Sequence, residues 1–420
     1  MFRQFLYAFV IVIFSVASLF ATDWGTFRGP DGSGKSPDTG LLKEWPEGGP
    51  KLLWTADFIG YGYSNVSITG DRMFITGNVE RNGETLSMVF CLDKDGNKIW
   101  ESDNGPAHTD ARQYPGTRGT PAIDSGFVYD VSPLGEIACF DAQTGEKIWS
   151  QNPKEEYDTP TEPWLYGHSL IIEGDKVIYP LGGPKHIAIA LDKKTGKTVW
   201  EAAPVANPPG VVLGSTTPYA FDFEGTRVVT VLSIATVEGL DARTGKTLFS
   251  IPFLNNSRTN CNMPIYHDGH LFLTTGYGFG AKLFKLAKNS DGTITPTEVW
   301  SERRFDNQHH GVVMVDDYVY GATYNGSWGS IHFMTGEIGY LHRGFGKISV
   351  FFADGLLYGL TDDDKTVLLL KPEPKEFVLL SQFELPNEVE GPSWAHPVVF
   401  GGRLYLRHGE YLYCYDVRSL

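Results

Sequence analysis

The chain has 420 residues, with 50 acidic against 35 basic side chains and a formal net charge of −15. Such a surface repels nucleic acid and anionic headgroups, which excludes both as expected partners and leaves neutral, cationic or metal-bridged ones. Two domains are the usual expectation at this length, but closed repeat architectures exceed it as single units, and no Pro/Ser-rich linker divides the chain.

In chain order, the first segment is a leader. Arg3 precedes an apolar run from Phe5 to Phe20, followed by Ala21 and the polar Thr22-Asp23. A run of about sixteen residues is short for a bilayer span, which needs roughly 20. Residues 1–21 therefore read as a secretory signal cut after Ala21, leaving an exported chain, periplasmic or extracellular, with no membrane span. Residues 22–50 form an N-terminal lead, and residues 51–420 a repeated body.

The body begins with an isolated apolar stretch, KLLWTADF from Lys51, that carries Trp54. Pairs of apolar strands joined by a tight turn then recur. They are VSITGDRMFITG from Val66, PAIDSGFVYDVS from Pro121, LIIEGDKVIYPL from Leu170, a longer copy from Pro218 to Leu232, PIYHDGHLFLTT from Pro264, VVMVDDYVYGAT from Val312, VFFADGLLYGL from Val350 and PVVFGGRLYLR from Pro397. Gly-Asp, Asp-Gly and Gly-Gly at the bends tolerate the positive φ that matches hairpin twist. A second phrase follows each of the first four pairs, in degraded copies: a hydrophobic residue, Asp, a turn ending in Thr-Gly, then an aromatic. It reads CLDKDGNKIW from Cys91, CFDAQTGEKIW from Cys139, ALDKKTGKTVW from Ala190 and GLDARTGKTLF from Gly239. These starts are 48, 51 and 49 residues apart, close to the length of a four-stranded propeller blade.

Eight such units predict an all-β fold, an eight-bladed β-propeller of four-stranded antiparallel blades. The terminal aromatics are expected to plug the gaps between blades. Later units are worn: Gly292 leads to Trp300 through a longer turn, Gly336 to Tyr340, and the seventh unit replaces the phrase with LLLKPEPKEFVLLSQFEL. The last unit stops at YCYDVRSL without its aromatic half, so the strand carrying Trp54 is expected to complete it and close the ring. Cys91, Cys139 and Cys414 occupy the same slot of different blades, too far apart for sulfur geometry, and four unpaired cysteines are expected.

The Asp-turn-aromatic phrase, most complete in ALDKKTGKTVW, resembles the pyrroloquinoline-quinone-type propeller repeat, and the resemblance runs from about Lys51 to Leu420. The lead DWGTFRGPDGSGKSPDTGLLKEWP resembles a subset of secreted bacterial propellers that begin with Trp-x-x-Phe-Arg-Gly-Pro. The repeat implies a fold shared by quinoprotein alcohol dehydrogenases and by the non-catalytic lipoprotein of outer-membrane barrel assembly. The enzymes imply an adjacent cysteine pair over the quinone, a Glu, Asn and Asp set for calcium and an Asp base. No two cysteines are neighbours in this chain, and the carboxylate set finds no matching positions. The lipoprotein implies a cysteine at the cleavage site, which is absent here.

In a propeller, the links from the outer strand of one blade to the inner strand of the next converge on a central funnel. Here they deliver Tyr63-Ser64-Asn65, Arg118-Gly119-Thr120, Tyr166-Gly167-His168, Ser215-Thr216-Thr217, Asn260-Cys261-Asn262, His309-His310, Lys347 and Ser393-Trp394-Ala395-His396. The candidate ligand-binding residues are Arg118, His168, Asn262, His310, Trp394 and His396, in a polar and nearly carboxylate-free pocket. Such a set favours an anionic or polyhydroxylated ligand, with Trp394 stacking on a flat face. Strand neighbours point opposite ways, so at most one of His309 and His310 is expected to face the funnel.

Asp362-Asp363-Asp364-Lys365 reads as a solvated turn, and Asp93 to Asn97 as a hairpin turn, since Lys98 stands where a calcium loop needs glycine. No catalytic or metal-ligating residue is assigned. The expected function is an exported, monomeric, non-catalytic binding or scaffold propeller serving a small polar ligand or an envelope protein. The alternative is a pyrroloquinoline-quinone-dependent oxidoreductase with Ca²⁺, acting on an alcohol or sugar.

Overall fold

Strand pairs closed by turn glycines assemble, in the computed structural model, into eight sheets that each carry a run of four antiparallel strands. The structure describes residues 23–419 apart from 111–113, 158, 160–164, 206–212, 256 and 258, so the signal read at 1–21 lies outside the described residues. In seven sheets the four-stranded run is continuous in sequence, at 67–106, 122–151, 171–202, 219–252, 265–302, 313–343 and 348–384. The eighth joins Val398–Phe400, Arg403–His408 and Tyr411–Asp416 to Lys51–Ala56, with Leu52 opposite Tyr415 and Trp54 opposite Cys414. Among the described residues the only α-helix is one turn, Pro153–Glu156, and no helix is long and apolar enough to cross a membrane.

The recurring phrase acts through local chemistry. The Asp141 Oδ1 atom accepts from the backbone N–H groups of Gln143 and Thr144, at 2.8 Å each, and from the Thr144 hydroxyl. Asp192 and Asp241 repeat the arrangement. These bonds stabilise the anion and hold the Asp141 carboxyl below its ordinary range, the Thr144 N–H first among the causes.

The glycine that ends each turn has φ near +70°, and a Cβ there would lie 2.7 Å from the Trp100 ring at Gly145, 2.8 Å from Trp149 at Gly196 and 2.6 Å from Trp200 at Gly245. Each aromatic thus rests on the turn of the following blade, where its indole N–H donates to a backbone carbonyl: Trp100 to Ala142, Trp149 to Lys193, Trp200 to Ala242. Trp54 of the eighth sheet does the same to Gly96 and Lys94 of the first, carrying the girdle across the join between last and first blades.

The lead has a structural role that its sequence did not disclose. Trp24 and Gly25 accept through their carbonyls from Ile68 of the first sheet and Ile123 of the second, and the Thr26 hydroxyl donates to Leu170 at the third. Gly32 packs against Tyr219 and Met263 at the fourth and fifth. The Arg28 guanidinium reaches Val312 at the sixth and His396 at the eighth, while Lys35–Ser36 adds a parallel strand to the seventh. So short a segment can touch the inner edge of every blade only by crossing the propeller axis. The lead is therefore a stopper across the channel.

Apolar side chains fill the wedges between sheets, Cys91, Cys139 and Cys414 among them, and all four cysteines are unpaired.

Candidate functional site

Above the stopper, links from all eight blades surround a cavity of about 730 Å³. Phe27 of the lead lines it together with Tyr63, Arg118, Ser169, Thr217, Cys261, Gln308, Lys347 and Trp394, among others. The contributions follow a parity. Tyr63 and Asn65, Gly167 and Ser169, Ser215 and Thr217, Thr259 and Cys261, and Trp394 and His396 line the space, whereas the residue between each pair does not. Successive side chains of an extended segment face opposite ways, and these links behave as strands without partners.

That parity separates the six candidates. Arg118, Trp394 and His396 line the cavity. His168, between Gly167 and Ser169, turns away and packs edge-on against Tyr166 and Tyr179. Asn262, next to Cys261, donates instead to the carbonyls of Asn307 and Gln308, at 2.7 and 2.8 Å, and clamps two links together. His310 lies just behind the lining His309, its ring centroid 4.0 Å away.

A belt of polar bonds fixes the links. The His396 N–H donates to Asn65 Oδ1, Asn65 N–H to the Thr120 hydroxyl, Thr120 N–H to the Ser169 hydroxyl and Ser169 N–H to the Thr217 hydroxyl. Each bond crosses from one blade to the next. The short hydroxyl residues at this recurring position, Thr120, Ser169 and Thr217, are the signal of the belt in the sequence.

Trp394 is engaged within the protein: Tyr63, Tyr114 and His309 each place a ring centroid 4.8 Å from it. It forms the centre of an aromatic wall rather than a single exposed plate. Two cations face this wall. Arg118 donates to the Tyr114 carbonyl at 2.9 Å, and Lys347 to Gln308 Oε1 at 2.7 Å while lying 5.0 Å over the Tyr324 ring.

Two expectations are overturned. The cavity is not nearly carboxylate-free, because Asp362 and Asp363 line it. Nor is the acidic run simply a solvated turn, since Asp362 is buried while Asp363 and Asp364 are exposed. The seventh sheet's second strand, Leu356–Thr361, ends at the funnel, so the next side chain is delivered inward. Of the histidine pair only His309 lines the cavity, within the expected limit of one, but the two lie on a bend rather than a strand, and both rings gather with Asp362.

Electrostatically the floor is dominated by burial. Desolvation lowers His310 to about 3 and His309 and His396 well below the ordinary imidazole range, with Arg28 adding to the effect on His396. All three imidazoles are neutral at pH 7. Burial raises the Asp362 carboxyl and pushes the Cys261 thiol up to about 12, leaving that thiol protonated at pH 7.

With this geometry in place, the comparisons decide the family. A family model described as outer membrane protein assembly factor BamB matches residues 85–340. The chain belongs to that family. One relative, the BamB of Xanthomonas campestris, is 32% identical over 107 residues, which cover 25% of this chain and 25% of its own length, so the chain matches only a quarter of that relative. The BamB structure from Moraxella catarrhalis superposes with a TM-score of 0.63 at 15% identity, covering 87% of this chain and 99% of its own. Quinohemoprotein alcohol dehydrogenase from Comamonas testosteroni superposes at 0.65 and 14% identity, covering 95% and 81%. At these identities the structures establish the propeller and nothing about its use.

Proposed function

We propose that this is an exported, non-catalytic binding propeller of the cell envelope, whose stoppered funnel holds a small polyhydroxylated ligand bearing an anionic group. The observation that carries the reading is the cavity itself: one chamber, contributed by all eight blades, in which Arg118 and Lys347 stand beside an aromatic wall and a ring of hydroxyl and amide groups. The two cations supply charge-assisted bonds to a carboxylate, the wall covers an apolar face, and Ser169, Ser215, Thr217 and Gln308 match hydroxyls. The apolar leader supports export, and kinship with an outer membrane assembly factor supports an envelope partner for the outer surface.

The residues do not fit a calcium-held quinone well. Cys261 is the one cysteine at the cavity and has no neighbouring cysteine, and the buried carboxylate Asp362 is grouped with two imidazole nitrogens rather than with the oxygen donors that calcium selects. The test is direct. Protein mixed with pyrroloquinoline quinone and Ca²⁺ or Mg²⁺ is expected to reduce no dye with any of a panel of alcohols and sugars, and to show no rise in melting temperature at excess quinone. Saturable turnover would overturn the binding reading.

A further inference from the structure

At the cavity floor, His309, His310 and Asp362 each present one ligand atom, and these atoms lie within 4.8 Å of one another. His310 Nε2 is 3.4 Å from Asp362 Oδ2 without a hydrogen bond between them. A tetrahedral ion with bonds of about 2.1 Å sets its donors roughly 3.4 Å apart. The group needs only small side-chain rotations to reach that spacing.

The same three residues hold buried polar atoms with no partner: His309 Nε2, His310 Nε2 and Asp362 Oδ1. Orphaned donors and acceptors at full burial cost stability unless something occupies the space between them. All three orphans belong to the residues whose ligand atoms gather within 4.8 Å, a pattern that one cation between them relieves.

We infer that His309, His310 and Asp362 form a binding site for one divalent first-row transition ion, of which zinc is the representative, open on its remaining positions to the funnel. Two imidazole nitrogens and one carboxylate favour zinc-like ions over calcium or magnesium, which prefer oxygen alone. His309 and Asp362 both border the cavity, so a carboxylate or hydroxyl entering it would complete the coordination sphere. The site stands independently of the anionic ligand proposed above and is tested without one.

The experiment uses the full chain, stripped with chelator, dialysed, and titrated with Zn²⁺ by calorimetry and with Co²⁺ by visible absorption. One equivalent per chain is expected, with a cobalt spectrum characteristic of nitrogen and oxygen donors at low coordination number. Asp362→Asn and His310→Gln, near in size to the originals, should each weaken binding at least tenfold while the circular dichroism melt shows the propeller intact. Excess Ca²⁺ should not compete. Failure to bind either metal stoichiometrically would overturn the site and leave water as the occupant. So would unchanged affinity in the Asp362→Asn/His310→Gln double variant, which would place the ion on surface histidines, or displacement by Ca²⁺.

Discussion

Arg28→Ala is expected to cost about 3–5 kcal/mol of folding free energy. The Arg28 side chain is buried in the stopper, where its guanidinium donates to the Val312 and Ser33 carbonyls and meets His396 Nδ1 at 3.1 Å. Gly34 and Gly311 both lack a side chain where Arg28 passes, and a Cβ at either would collide with the guanidinium. Alanine would leave those carbonyls without donors and open a void between the sixth and eighth blades. Burial already lowers Arg28 to about 10, still far enough above neutrality to keep it charged, so its worth lies in the fork of donors rather than in an ion pair. Arg28→Lys should therefore recover little. The measurement is the denaturant midpoint of both variants against wild type. A change below about 1 kcal/mol would mean that the lead lies on the propeller without holding it.

Arg407→Ala should cost a similar amount, about 3–5 kcal/mol, but should loosen a different place. Arg407 belongs to the eighth sheet and donates to the Gly60 carbonyl at 2.9 Å, the Ser64 hydroxyl at 2.7 Å and the Thr76 carbonyl at 2.6 Å, all leading into or within the first blade. Its burial is complete enough to lower it to about 9. Without it, the join between last and first blades keeps the Trp54 contact with Gly96 and loses its polar centre. Hydrogen exchange should show protection falling in Lys51–Ala56 and Arg72–Arg81, while the third to fifth blades remain as in wild type. Uniform loss around the ring would contradict a localised join.

The fold was legible because its determinants are local. Asp141, Thr144 and Gly145 build their turn within five residues, and the aromatic four positions beyond the glycine reports the next contact, so each blade writes its own signature. Closure was readable from an aromatic half missing at Tyr415 and present at Trp54. The stopper was not readable, because residues 24–36 contact eight blades through an irregular segment with no period to detect.

The site was legible only in part. That the links between blades supply it follows from topology, but which side chains enter depends on parity and on one bend. Within each link the alternation favours Asn65, Ser169 and Thr217 over His168. Nothing local distinguishes Asp362 from Asp363 or Asp364, since only the end of the preceding strand decides which one is buried.

The most direct test of the funnel as the binding site is a calorimetric titration of sugar acids, each beside its neutral parent sugar, against wild type and the Arg118→Met/Lys347→Met double variant. At least one acid should bind wild type saturably, its neutral parent at least tenfold more weakly, and the double variant should lose that difference. An acid that binds the double variant as tightly as wild type, or a panel in which no acid binds at all, would contradict the account.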